Sequence, residues 1–234
     1  MTLLTHSRFS AQFGLTTPIA LAPMALASGG ALAAACARAG ALGLVGGGYG
    51  DLAWTQREYT LALQAADTGR IGCGFITWKL DEDASALDWV LDRAPQHRPR
   101  AVMLSFGDAR RYAARIAASG AALICQIQRM EQAPQAVEAG ATVIVAQGAE
   151  AGGHGMNALN GRATMTFVPE LADWLATHAP DTLLLAAGGI ADGRTLAAAM
   201  VLGADGALGG SRLWATAESL APQGAKEQAL RTDG

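Results

Sequence analysis

One phrase recurs four times along this chain. Ala39-Gly40-Ala41-Leu42-Gly43-Leu44-Val45, Ser119-Gly120-Ala121-Ala122-Leu123-Ile124, Ala139-Gly140-Ala141-Thr142-Val143-Ile144 and Leu202-Gly203-Ala204-Asp205-Gly206-Ala207 share one logic. A stretch of helical character ends on a glycine, the residue that most easily takes the left-handed backbone closing a helix. An apolar run starts within a few residues of that glycine. Helix, glycine, strand, repeated, restricts the chain to α/β units with a parallel sheet.

Followed along the whole sequence, this pattern predicts eight strands, at 18–22, 42–45, 71–75, 101–106, 122–127, 142–146, 183–187 and 206–208. Helical segments are clearest at 28–39, 51–66, 108–118, 131–139, 168–177 and 192–202, with Ser28 and Asp192 as N-caps. Eight apolar strands, nearly all buried on both faces, predict a closed (β/α)8 TIM barrel in one domain spanning 1–234. The alternative is a doubly wound open sheet, which typically uses fewer strands and one glycine loop at a switch point. The longest unassigned loop is 148–167, and long strand-to-helix loops of a barrel are where function sits. Beyond the eighth strand, 213–234 leaves room for a short final helix, so the last layer of the barrel is expected to be short or incomplete. Apolar surface left uncovered there predicts association into dimers, or marginal stability.

Composition excludes several function classes. With 51% hydrophobic and 16% charged residues in 234, the chain has material for a large core. A net charge of −3 offers no basic face, which argues against nucleic acid as a partner. No run approaches the roughly 18 apolar residues of a membrane span. The segment Met1-Thr2-Leu3-Leu4-Thr5-His6-Ser7-Arg8 lacks the order of a signal peptide, so a cytoplasmic protein is expected. Cys36, Cys73 and Cys125 are odd in number, apolar in context and form no CxxC, which suits inert thiols in a reducing compartment.

The chemistry gathers at strand ends. After Thr142-Val143-Ile144-Val145 comes Ala146-Gln147-Gly148-Ala149-Glu150-Ala151-Gly152-Gly153-His154-Gly155, a glycine-rich turn carrying one histidine. Gly188-Gly189 follows the seventh strand, and Gly209-Gly210-Ser211 the eighth. Those two positions are where a barrel binds phosphate through backbone N–H groups, and Ser211 adds a hydroxyl. The competing reading is that these glycines only permit tight turns. Ala22-Pro23-Met24 ends the first strand, Gly46-Gly47-Gly48 follows the second, and Gly72 and Gly74 alternate in the third. Trp78 comes next, as a pocket wall or as core packing. His154 is the one histidine in a strand-end loop, whereas His6, His97 and His178 lie in polar or helical contexts. Imidazole titrates near neutrality and serves as base or as donor to an anion; capping its own loop is the plainer alternative. No carboxylate or second histidine stands at metal-ligand spacing, and no serine sits in a nucleophile elbow.

In this order Ala22-Pro23-Met24, the 146–155 loop, Ala187-Gly188-Gly189-Ile190-Ala191-Asp192-Gly193 and Gly210-Ser211-Arg212 resemble the nitronate monooxygenase family, formerly 2-nitropropane dioxygenases, over about residues 15–217. The resemblance implies a TIM barrel with non-covalent FMN, its phosphate at the loops after strands seven and eight. Carried over by position, the flavin neighbours are Ala22, Pro23, Met24, Gly74, Gln126, Gln147, Gly152, Gly153, Gly188, Gly189, Leu208, Gly209, Gly210 and Ser211, and the catalytic histidine is His154. It implies oxidation of alkyl nitronates by O2. Two alternatives stand beside it: an NAD(P)H-dependent enoyl or quinone reductase, and a truncated flavin-binding barrel without turnover. The chain departs from the family's pattern at Gly74, where many members carry asparagine, and at Gly155-Met156, where arginine-glycine is common. The family usually continues well beyond position 234, which implies a shortened member or a fragment.

Overall fold

The computed structural model describes residues 6–66, 69–156 and 160–231. The first residues of the N-terminal segment read for a signal, part of the long loop at 148–167, and the last three residues of the tail lie outside the described residues.

Eight parallel strands form one sheet: β1 (Ile19–Leu21), β2 (Gly43–Gly48), β3 (Ile71–Ile76), β4 (Ala101–Ser105), β5 (Ala122–Ile127), β6 (Val143–Gln147), β7 (Leu183–Ala187) and β8 (Gly206–Gly209). The spatial order β1-β8-β7-β6-β5-β4-β3-β2 is sequential. Leu21 N–H donates to Leu42 O at 2.8 Å and Leu42 N–H to Ile19 O at 3.0 Å, which joins the first strand to the second and closes the barrel. The TIM barrel is therefore present, and the open sheet is excluded.

The α-helices are α1 (Arg8–Phe13), α2 (Gly30–Arg38), α3 (Leu52–Ala65), α4 (Thr77–Leu80), α5 (Ser85–Leu91), α6 (Arg110–Ser119), α7 (Ala133–Glu138), α8 (Thr164–His178), α9 (Gly193–Val201), α10 (Ser211–Trp214) and α11 (Gln223–Arg231). The repeated glycines behave as read: Gly40, Gly120, Gly140 and Gly203 all have φ between +75° and +104°. Asp192 caps α9, accepting from the N–H groups of Arg194 and Thr195. Ser28 does not cap α2; Gly29 holds that position, and the Ser28 hydroxyl turns back to the backbone of Met24. Helix α8 begins at Thr164, four residues before the expected start, because Glu150 supplies the cap from the preceding loop.

Inside and outside separate by strand parity. Leu44, Met103, Ile124, Val145, Leu185 and Leu208 form the barrel interior, while Val45, Val102, Leu104, Cys125, Ile144 and Leu184 pack against the helices. The sequence reading contained no α1, yet this helix completes the interior: Phe9 and Phe13 are buried in the same cluster. Arg8 fixes it by a fork onto buried Asp205 just before β8, at 2.8 and 2.9 Å, and Arg100 just before β4 donates to Gln12 O. Both anchors lie at the N-terminal ends of strands, so α1 plugs that end of the barrel.

After α10 the last described helix is α11 (Gln223–Arg231). Leu220 and Leu230 remain exposed there, together with Leu61 on α3. No helix among the described residues is long and apolar enough to cross a membrane.

Candidate active site

The parity that fills the barrel with aliphatic side chains carries polar ones to its C-terminal rim. Ser105, Gln126 and Gln147 lie two residues beyond Met103, Ile124 and Val145 and so face inward above them. Their neighbours in this layer, Ala22 and Ala187, are small. An apolar floor thus ends in a polar, shallow layer open to the loops. A flat, partly polar ring suits such a surface.

Three glutamines tie this layer to the histidine loop. Gln147 Oε1 accepts from Gln126 Nε2 at 2.8 Å and from Gln128 Nε2 at 2.9 Å. Gln147 Nε2 donates to Gly152 O at 3.2 Å, and Gln128 Nε2 also reaches His154 O at 2.8 Å. Backbone carbonyls on both sides of Gly153 are therefore held by side chains rooted at the ends of β5 and β6. His154 itself is exposed to the mouth. Its ring lies beside Phe106, centroids 5.3 Å apart, and beside Tyr49, whose hydroxyl is 3.4 Å from Nε2. Tyr49 and Trp78 are 48% and 40% exposed, so Trp78 is a wall of the mouth rather than core. Phe106 has φ +65°, a left-handed conformation that costs an aromatic residue on the order of 1–3 kcal/mol. It sits directly after β4, at the rim.

Bare backbone lines the other half of the rim. Gly188 and Gly189 follow β7 with φ +113° and +70°. A β-carbon at Gly189 would meet nothing within 4 Å; at Gly210 it would touch only Ala22 Cβ at 3.5 Å and Met24 Sδ at 3.7 Å. At Gly152 it would stand 3.5 Å from Ser211 Oγ, which places the histidine loop against the β8 loop. Gly210 is the N-cap of α10 and offers no side chain to cap it, so the N–H groups of Ser211 and Arg212 have no partner within the helix. Helix α9 differs, because Asp192 satisfies its own cap. Open glycine backbone, uncapped N–H groups and the Ser211 hydroxyl fit the phosphate of a mononucleotide.

The remaining expected residues take these places. Ala22 N–H donates to Gly209 O at 2.8 Å, joining the β1 and β8 loops, and Met24 N–H is held by Ser28 Oγ at 2.7 Å. Pro23 lies against Gly74, where any β-carbon would collide with its ring; the glycine at this position admits the proline. Leu208 is buried inside the barrel, below the rim. Gly153 has φ +80° and open space around it. Sequence reasoning missed Gln128, Tyr49, Phe106, Glu150 and Thr164. Gln128 was legible, being two residues beyond Gln126 on an inward-facing series. Glu150 accepts from Thr164 N–H at 2.9 Å, and the Thr164 hydroxyl reaches Gly188 O at 3.1 Å, so this pair fastens the histidine loop to the β7 loop.

The cysteines stay out of the chemistry. Burial pushes the Cys36 thiol up to about 11 and those of Cys73 and Cys125 up to about 12, so all three remain protonated. Among the described residues, no group of three or more His, Cys, Asp or Glu side chains is arranged to hold a metal ion.

Comparison with known proteins places the fold in a family. The nitronate monooxygenase family profile matches residues 80–233. A nitronate monooxygenase of Neurospora crassa is 31% identical over 91% of this chain, which spans 64% of that relative's length. The solved structure of nitroalkane oxidase from Streptomyces ansochromogenes superposes with TM-score 0.79 at 27% identity, covering 94% of this chain and 71% of that one. FabK from Thermotoga maritima superposes with TM-score 0.84 at 26% identity, covering 97% of this chain and 68% of that one. With its eight-stranded barrel and its match to the family profile over most of its length, the chain belongs to the nitronate monooxygenase family.

Proposed function

We propose that this domain binds FMN at the C-terminal rim and oxidises alkyl nitronates with O2. The observation that carries this reading is the position of His154: an exposed imidazole on a loop braced by Gln128 and Gln147, beside an apolar floor and a rim of open glycine backbone. The phosphate would be held by the backbone at Gly188, Gly189, Gly209 and Gly210 and by the Ser211 hydroxyl. The ring would lie toward Ala22, Pro23 and Met24 and over Gln126 and Gln147. When bound, the flavin supplies the electron chemistry between substrate and O2. His154 binds the anionic nitro group of a nitronate, or takes the α-proton from a neutral nitroalkane. Tyr49, Trp78 and Phe106 wall the mouth and give an alkyl chain apolar surface. A cytoplasmic location, and pairing of two copies through the exposed leucines of the tail, complete the proposal.

His154→Asn tests it. The flavin should stay bound, because the contacts proposed for it come from backbone and side chains other than the imidazole. Turnover of a neutral nitroalkane should fall by roughly 10²–10⁴, the usual contribution of a positioned acid or base. Turnover of the pre-ionised nitronate should fall less, since no proton has to be removed. Equal, small losses with both substrates would contradict the role given to His154. Bleaching of the flavin by NAD(P)H, without oxygen uptake on nitronate, would point to a reductase. A colourless protein that takes up no FMN would leave a barrel without turnover.

A further inference from the structure

Tyr49 comes from the loop after β2, on the far side of the mouth from the histidine loop. Its hydroxyl lies 3.4 Å from His154 Nε2, and the two rings stand edge to face with centroids 6.2 Å apart. Phe106 flanks the imidazole at 5.3 Å, and Trp78 stands edge-on to Tyr49 at 6.3 Å. The imidazole is thus lodged between two aromatic side chains, while Gln128 holds the carbonyl of the same residue. Among the described residues, Tyr49 is the ring's only hydrogen-bond partner.

An imidazole nitrogen is a much stronger base than a phenol oxygen, so with a neutral ring the phenol is the donor. The hydrogen bond made at one ring nitrogen decides which of the two carries the proton. We propose that Tyr49 is a positioning residue for His154: its O–H donates to Nε2, leaves the ring proton on Nδ1, and aims a lone pair rather than an N–H into the mouth. At 3.4 Å the contact is near the outer limit for a hydrogen bond, so an incoming carbon acid can take the phenol's place. The Nε2 lone pair then receives the α-proton. This consequence rests on the nitroalkane reading above; the tautomer itself does not.

Tyr49→Phe removes the hydroxyl and keeps the ring, at a half-exposed position where folding is not at stake. In ¹⁵N-labelled protein at a pH where imidazole is neutral, His154 is identified by the signals lost in His154→Asn. The wild type should show an unprotonated Nε2, and Tyr49→Phe should move population to the Nε2–H form. Turnover of a neutral nitroalkane should fall about tenfold in the same variant, by more than turnover of the nitronate, which has no proton to give up. A protonated Nε2 in the wild type, or the same tautomer in both proteins, overturns the proposal. A tautomer that moves in a protein oxidising neither substrate would uphold the positioning role and refute the nitronate chemistry instead.

Discussion

The two ends of this barrel are built from the same strands and differ in almost every other respect. At the N-terminal end, Phe9 and Phe13 enter the aliphatic interior, and the Arg8–Asp205 fork locks their helix in place. At the C-terminal end, the inward positions turn to Ser105, Gln126 and Gln147, the loops to glycine, and the histidine and tyrosine stand exposed. One end buries apolar surface, and the other leaves polar groups and backbone accessible. Stability and chemistry can therefore be altered separately, as barrel architecture permits.

The strongest challenge to that separation is Phe9→Ala. Emptying a fully buried aromatic site at the plug should cost about 3–5 kcal/mol, read as a lower denaturation midpoint with unchanged slope. Flavin affinity of the folded fraction should stay near wild type; a parallel loss of affinity would mean that the ends are coupled. Gly210→Asp is the converse change. It places bulk and negative charge in the loop proposed to hold the phosphate, worth about 1–4 kcal/mol of repulsion per charge at 4 Å, or roughly fivefold to thousandfold in affinity. The expected protein is folded and colourless, and retention of yellow colour with near-normal affinity would move the phosphate elsewhere.

A smaller effect separates the two glycine loops of the rim. Hydrogen bonds from Thr195, through its backbone N–H and its hydroxyl, hold the Asp192 carboxyl below its ordinary range. A group with a lowered folded-state pKa contributes stability above the ordinary carboxylate range and loses it as pH falls through the folded value. Asp192→Ala should therefore lower Tm slightly near neutral pH, and by less in acid, while flavin affinity holds. A marked loss of flavin would show that the start of α9 serves the ligand rather than its own cap.

The fold was legible because its signal is local and repeated: four helices run into a left-handed glycine just before the next strand, and most strands are apolar runs. The plug was not, because Arg8–Phe13 is short and its purpose lies in contacts with Asp205 and with strands far along the chain. The histidine loop could be found from its composition, and Gln126 and Gln147 fall where parity turns the chain inward. Tyr49 and Phe106 carry no such mark. They meet His154 only because the barrel brings the ends of β2, β4 and β6 together. The cap of α8 was missed for a similar reason, since it comes from Glu150, fourteen residues ahead of the Thr164 N–H it accepts from.

The most direct test of the rim's role is the identity of what it binds. Purified protein, saturated with flavin cofactors and freed of excess, is denatured, and the released compound is identified by its mass. Open backbone at two adjacent loops, with no GxGxxG turn opening a βαβ unit, predicts FMN. Release of an adenine-containing cofactor, or of none, would contradict a C-terminal rim built to hold a single phosphate.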